Sequence, residues 1–145
     1  MNRVRWLVGP LAAILSLAAP TSESLAARKK VDWTAVDVRV GDDAKRVARQ
    51  LRRQLQQASK TADWGKRKEK LALRAQVKVL DWDEREDVVR LKLTVVARIV
   101  DGPSARSHIQ LGARPAEKRK LERQALRIVA EGLVTRLAEI ARKQP

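Results

Sequence analysis

Residues 71–100 read LALRAQVKVLDWDEREDVVRLKLTVVARIV, and this stretch decides the fold. Apolar and polar residues alternate over residues 71–79 and again over residues 89–100. A period of two over this length is typical of strands that bury one face and expose the other. Residues 81–87 separate the two runs and contain a single apolar residue, Trp82. The stretch therefore predicts a long antiparallel hairpin with an acidic tip.

The exposed face of this hairpin is predicted to be basic. The alternation buries Leu73, Val77 and Val79 in the first strand and leaves the positions between them in water. Because guanidinium forks bind phosphate and carboxylate groups well, the face indicates a flat binding surface for an anionic group. The alternative is a solvated strand face whose long charged side chains discourage edge pairing. The predicted binding residues, including one from a later strand, are Arg74, Lys78, Arg90, Lys92, Arg98 and Arg106.

Composition narrows the function classes. The chain has 145 residues, enough for one domain with its own core, and its 32 Lys and Arg outnumber 17 Asp and Glu. A formal charge of +15 attracts anions: nucleic acid, anionic lipid or an acidic protein. The absence of cysteine excludes disulfides, thiolate nucleophiles and cysteine metal sites. The absence of Tyr and Phe counts against a stacking platform for single-stranded nucleic acid.

The N-terminus has the pattern of an export signal. Arg3 precedes an uncharged apolar run over residues 6–19, and small residues around Ala26 suit signal peptidase. We expect residues 1–26 to be a secretory signal peptide and residues 27–145 to be a single domain, periplasmic or secreted. An uncleaved N-terminal anchor is the alternative.

The flanking sequence adds two strands and two helices. Asp42 or Asp43 is expected to cap the first helix by accepting backbone N–H groups. Pro115 suits the first turn of the second helix, and Gly132 lies on its apolar stripe, where it would allow close packing against the sheet. The predicted elements are a strand over residues 33–40, a helix over 44–58, a loop over 59–70, the hairpin, a strand over 105–111 and a helix over 115–142.

This order predicts an α+β fold. The sheet needs a cover on its apolar face, and each helix offers one apolar stripe. We expect a two-layer sandwich in β-α-β-β-β-α order, with a largely antiparallel four-stranded sheet and both helices on one face. The position of the first strand in the sheet does not follow from the sequence.

The first helix is also basic on its polar side. It could lie along a membrane surface or an acidic partner, at most peripherally because the apolar stripe lacks aromatic residues. A solvated helix face is the alternative. The outward cations are Lys45, Arg46, Arg49, Arg52 and Arg53.

No enzymatic or metal-binding pattern stands out. His108 is the single histidine and has no nominated nucleophile or orienting acid, and no glycine-rich phosphate loop precedes a helix. Residues 81–87 fail the EF-hand calcium pattern, because the twelfth position is Lys92. We therefore predict no catalytic residues, no metal and no cofactor.

The acidic tip leaves two further interpretations open. Trp82 could be an exposed anchor for a partner or could fold back over the hairpin. The tip could also meet the basic face of a second copy, head to tail.

The predicted order over residues 33–142 resembles small envelope accessory proteins of Gram-negative bacteria. It is similar to the LPS-assembly lipoprotein that partners the outer-membrane LPS translocon, and to the auxiliary lipoproteins of ABC-type lipid transport systems. The resemblance rests on element order and includes no short motif. Those families carry a lipobox cysteine, which this sequence lacks. The resemblance implies a non-catalytic adaptor working on or beside an envelope assembly machine.

The sequence therefore predicts an exported accessory module of the bacterial cell envelope, without enzymatic activity, that contacts a protein partner by its sheet. The alternative is direct binding of anionic lipid, LPS or polymer by the basic sheet face.

Overall fold

The computed structural model describes residues 31–67 and 69–144. The predicted signal peptide, residues 1–26, lies outside these ranges. The elements are β1 (Val31–Val38), α1 (Ala44–Thr61), β2 (Leu71–Glu84), β3 (Val89–Ile99), β4 (Ser104–Ala113), a 3₁₀ turn (Pro115–Glu117) and α2 (Lys118–Lys143). The predicted order and the α+β class are confirmed. Each strand and helix differs from its predicted bounds by a few residues, and α1 continues to Thr61 into the predicted loop.

The four strands form one sheet in the order β1-β2-β3-β4. β1 pairs with β2 in parallel, and the other two pairings are antiparallel. The first strand, whose place the sequence left open, therefore lies at one edge. A parallel pair needs a crossover connection, and α1 supplies it.

The hairpin is longer and its tip tighter than the sequence predicts. β2 continues through the acidic segment as far as Glu84, which pairs with Val89, and Trp82 pairs with Leu91. The turn is closed by a hydrogen bond from the Arg85 backbone N–H to the Val88 carbonyl oxygen, at 2.9 Å. The expected tip over residues 81–87 was therefore wrong in its first half, where the acidic residues belong to the strand.

The core lies between one face of the sheet and the two helices. β3 contributes its full alternating set of apolar residues, and each helix contributes a continuous stripe. Burying one leucine side chain stabilises the fold by about 2 kcal/mol. The largest fully buried side chains include Leu51, Leu55, Leu73, Leu91, Leu93, Leu126, Leu133 and Leu137. The opposite face of the sheet, which we call the outer face, is left uncovered by α1 and α2.

The two helices run parallel to each other. Near their N-terminal ends the Arg46 guanidinium of α1 bonds both carboxylate oxygens of Glu122 in α2. Near the other end, Arg142 in the last turn of α2 donates to the carbonyl oxygen of Asp63, which follows α1. The expected side-chain cap by Asp43 is not formed, because its carboxylate accepts from Arg46 Nε at 3.2 Å instead.

Candidate interaction surface

The outer face carries the cations that the sequence predicts. Each of them is exposed. Within residues 31–67 and 69–144, none of them forms an ion pair at 4.0 Å or less. The six side chains are Arg74, Lys78, Arg90, Lys92, Arg98 and Arg106.

A bulge in β2 changes which side chains belong to this face. The pairing shifts between Val77, opposite Val95, and Val79, opposite Thr94, so that Lys78 is an extra residue. A one-residue shift moves every later side chain to the other face. Val79 is therefore 37% exposed, and the prediction that it is buried was wrong. After the bulge, Asp81 and Asp83 belong to the outer face.

The charge on the outer face is uneven. Towards the hairpin tip each cation lies opposite an acid, since Asp81 pairs with Lys92 and Asp83 with Arg90. At the other end Arg74 lies directly opposite Arg98. Like charges in directly opposite positions destabilise a sheet.

Arg106 completes this end of the face. Arg106, in β4, lies opposite Val96 of β3. Val96 and Arg98 are two residues apart in β3 and therefore point to the same face, so Arg106 and Arg98 are neighbours on the outer face. We call Arg74, Arg98 and Arg106 the arginine cluster. The structure thus divides the predicted surface into two halves. In one, Arg90 and Lys92 lie opposite acids; in the other, Arg74 and Arg98 oppose each other, and no arginine of the cluster forms an ion pair among the described residues.

The middle of the outer face is apolar. Val79 lies opposite Thr94, and Val96 is the next residue of the outer face along β3. The Thr94 side chain is 1% exposed although it belongs to this face. Thr94 Oγ1 lies 2.6 Å from His108 Nδ1 on β4. An apolar centre inside a rim of charged side chains is the usual anatomy of a protein–protein contact.

The two edge strands are partly held by side chains. Arg52 of α1 donates to the Trp33 carbonyl oxygen of β1 at 2.6 Å. Arg136 of α2 donates to the Arg106 carbonyl oxygen of β4. Each bond occupies a backbone acceptor on an edge strand, which makes the flat face the more accessible part of the sheet.

Trp82 lies on the core side of the sheet. Its indole is half-buried and packs against the core, and Lys118 Nζ lies 4.8 Å from the ring centroid. Lys118 also pairs with Glu84. Trp82 lines a cleft of about 410 Å³ between β2 and the starts of α1 and α2. A partner contact at Trp82 stays a prediction. A partner could touch only the part of the indole ring that lines this cleft.

Catalytic and metal-binding geometry is not evident in the described part of the chain. His108 contacts the Thr94 hydroxyl, and no carboxylate among the described residues is hydrogen-bonded to the imidazole to orient it. No group of three or more His, Asp or Glu side chains among the described residues could hold a metal ion. No helix within those residues is long and apolar enough to cross a bilayer.

Sequence comparisons found no match to a model of a protein family or to a curated protein. Several solved structures are similar to this chain at low identity. A candidate lipoprotein of Caulobacter crescentus CB15 is 13% identical, with a TM-score of 0.48 over 83% of this chain and 96% of that chain. A minor lipoprotein of Acinetobacter baumannii is 16% identical, with a TM-score of 0.34 over 81% and 98%.

The PelC dodecamer of Paraburkholderia phytofirmans is 15% identical, with a TM-score of 0.39 over 81% of this chain and 91% of that chain. Two of these three proteins are described as lipoproteins. No function follows from likeness at this level.

Sequence reasoning found the cations of the outer face and missed how they are grouped. The signal for the bulge was the pair Val79-Leu80, two adjacent apolar residues that break the alternation. Arg74 and Arg98 face each other because of the register between β2 and β3, which cannot be read from the sequence.

Proposed function

We propose that this chain is an exported, non-catalytic accessory module of the bacterial cell envelope, and that it contacts an acidic protein partner by the outer face of its sheet. The observation that carries the proposal is the arginine cluster beside an apolar centre. Arg74 and Arg98 oppose each other, and both are exposed. An anionic group placed between them would turn a repulsive pair into two attractive contacts.

A protein suits this surface better than a small molecule. The arginine cluster is flat, and the exposed Val79 and half-buried Val96 beside it give the apolar centre that a protein contact buries. Carboxylates of the partner would meet the guanidinium groups at the rim. Such a contact should retain part of its affinity in salt, because apolar burial is not screened.

Photo-crosslinking in living cells tests the proposal. A photoreactive residue is placed at Val96 or Arg106 on the outer face and, as a control, at exposed Gln57 on α1. We expect one recurrent envelope protein at the sheet positions and none at the control position. Capture of that protein by Gln57 as strongly as by Val96 would contradict the proposal.

Direct binding of anionic lipid, LPS or polymer is the second candidate, favoured by the same opposition of Arg74 and Arg98. Guanidinium forks donate to phosphate as readily as to carboxylate. Capture of lipid or LPS alone at Val96 and Arg106 would establish this candidate and exclude the protein partner. Its affinity should fall steeply with salt and with Arg98→Glu, since it has no apolar component.

A further inference from the structure

The helix layer presents a second basic surface, on the side of the molecule away from the sheet. In α1, Val47, Leu51 and Leu55 are buried against the core. Residues two positions from this stripe lie about 200° around the helix, which is its opposite side. Cations occupy three such positions at intervals of four, and all three are exposed: Lys45, Arg49 and Arg53. α1 contains no acidic residue at all.

α2 carries a matching row. Arg119, Arg123 and Arg127 also recur at intervals of four, and all are exposed. They follow the flank of α2 that carries Glu122, the residue bonded to Arg46 of α1, so this row borders the neighbouring helix. Glu122 is the single acid between Lys118 and Ala130, and it is 5% exposed.

The two rows interleave. Arg46 lies beside Glu122, and both parallel helices rise 1.5 Å per residue, so Arg49 is level with Ala125 and falls between Arg123 and Arg127. The six cations therefore cover a strip about 15 Å long on helices whose axes lie about 8–10 Å apart. We call Lys45, Arg49, Arg53, Arg119, Arg123 and Arg127 the helix plateau.

The helix plateau works against the stability of its own helices. Like charges four residues apart on a helix repel each other. Lys45 and Arg119, in the first turns of their helices, also face the positive end of the helix dipole. No acid among residues 31–67 and 69–144 forms an ion pair with any of the six. An external anion would relieve both effects at once.

We propose that the helix plateau docks on the surface of an anionic phospholipid bilayer. Its cations lie on the outer sides of two parallel, adjacent helices and form a broad surface without a groove. Such a surface fits a plane of phosphates better than a single polymer strand. Among the described residues of the two helices, the one exposed large apolar side chain is Ile128, 38% exposed, so the contact is electrostatic and without insertion. The outer face differs in this respect, because it has an apolar centre.

This orientation leaves the outer face free. The helices cover one side of the sheet and the arginine cluster lies on the other. A molecule resting on its helix plateau would therefore present the arginine cluster away from the membrane. The docking goes beyond the proposed function and does not depend on it, since the two surfaces share no residue.

Vesicle co-sedimentation of the full chain tests the docking. The vesicles contain about one-third phosphatidylglycerol in phosphatidylcholine, or phosphatidylcholine alone, at near-physiological salt. Two variants of equal net charge are compared: a plateau variant with Arg49→Gln, Arg123→Gln and Arg127→Gln, and a cluster variant with Arg74→Gln, Arg98→Gln and Arg106→Gln. Residues 1–30 are common to all proteins, so any binding that they contribute cancels in the comparison.

Each cation near an anionic surface contributes about a fivefold factor in partitioning, so we expect the plateau variant to bind phosphatidylglycerol vesicles about a hundredfold more weakly. The cluster variant should bind within about threefold of the parent. Equal loss in both variants would overturn the proposal in favour of net charge alone, and so would equal binding of the parent to both kinds of vesicle.

Two controls complete the test. A variant with Arg49→Lys, Arg123→Lys and Arg127→Lys keeps the charge and should bind like the parent, which separates loss of charge from loss of fold. Added soluble polyphosphate tests the rival occupant. If the parent binds polyphosphate through the helix plateau and leaves the vesicles unbound, the occupant is a polymer and the bilayer proposal fails.

Discussion

Arg46 of α1 and Glu122 of α2 form a two-point ion pair that joins the helices near their N-terminal ends. The Glu122 carboxylate is almost fully buried, whereas the Arg46 side chain is 27% exposed. The hydrogen bond to Glu122 raises the pKa of Arg46 above its ordinary value, and the charge of Glu122 and the contact with Asp43 act in the same direction. Burial alone would lower this pKa. The pair is the polar contact that fixes the two helices side by side.

Arg46→Met is expected to lower the free energy of unfolding by about 2 kcal/mol, because it leaves the Glu122 carboxylate buried without its cation. The loss is less than for a fully buried pair, since Arg46 is partly open to water. Urea unfolding measures it. Arg49→Met on the same helix is the control, expected within about 0.5 kcal/mol of the parent. A double variant, Arg46→Met with Glu122→Leu, should recover most of the loss.

The contribution of Arg46 to the free energy of unfolding should not vary with pH between about pH 7 and about pH 9. The folded-state pKa of Arg46 is raised, so its contribution to stability is fully present below the ordinary arginine pKa and is lost only as pH rises beyond the folded value. We therefore expect Arg46→Met to cost the same at about pH 7 and at about pH 9. A cost that disappeared by pH 9 would contradict this assignment.

Ser59→Ala is expected to destabilise the fold by about 1–3 kcal/mol. The Ser59 hydroxyl accepts from Trp33 Nε1 at 2.9 Å and donates to the Leu55 carbonyl oxygen at 2.7 Å. Its removal leaves a buried indole N–H without an acceptor. Thermal unfolding measures the change. With Trp33→Phe already present the donor is gone, so the further cost of Ser59→Ala should fall below about 1 kcal/mol.

Arg98→Gln is expected to stabilise the folded state by about 0.5 kcal/mol at low ionic strength, because it removes the like charge opposite Arg74. Arg90→Gln is the matched control on the same strand and face. Arg90 lies opposite Asp83, so its neutralisation should destabilise the fold by a similar amount. Urea unfolding at low and high salt compares them, and the two effects should shrink together as salt is added. If both substitutions changed the free energy of unfolding in the same direction, the cross-strand pairs would not determine how these charges affect stability.

Much of the fold follows from local pattern. The alternation through Leu91 and Val95 and the stripe through Leu51 and Leu55 report burial directly, because each period matches one kind of backbone. The strand-helix-strand order at the start of the domain also allowed a parallel pairing, since α1 is long enough to be a crossover. This order is the signal from which the place of β1 beside β2 could be predicted.

The grouping of charges could not be predicted in the same way. A bulge such as that at Lys78 depends on how two strands settle against each other, and it moved Val79 to the outer face. The register between strands decides whether a cation lies opposite an acid or another cation. Arg90 lies opposite Asp83, whereas Arg98 lies opposite Arg74. Composition reports the total charge and says nothing of these neighbours. For the same reason, the alignment of the two rows of the helix plateau depends on the Arg46–Glu122 contact between helices.

Gly132→Ala is expected to stabilise the protein by about 1 kcal/mol. The sequence suggested that this glycine permits close packing of α2 on the sheet. In the structure a Cβ at Gly132 would lie 3.7 Å from Ser107 Oγ of β4, an ordinary van der Waals distance. The site has room for a methyl group, and alanine has the higher helix propensity. Thermal unfolding measures the gain.

Gly41→Ala is the control for this prediction, and the opposite sign is expected. Gly41 has a φ of 87°, in the left-handed region that alanine disfavours, and an added Cβ would lie 3.0 Å from Leu80 Cδ2. Both the backbone strain and the contact oppose the substitution, so a loss of about 1–2 kcal/mol should follow. If Gly132→Ala destabilised the protein as much as Gly41→Ala, α2 would lie closer to β4 than the Gly132–Ser107 distance indicates. The close packing that the sequence suggested would then be supported.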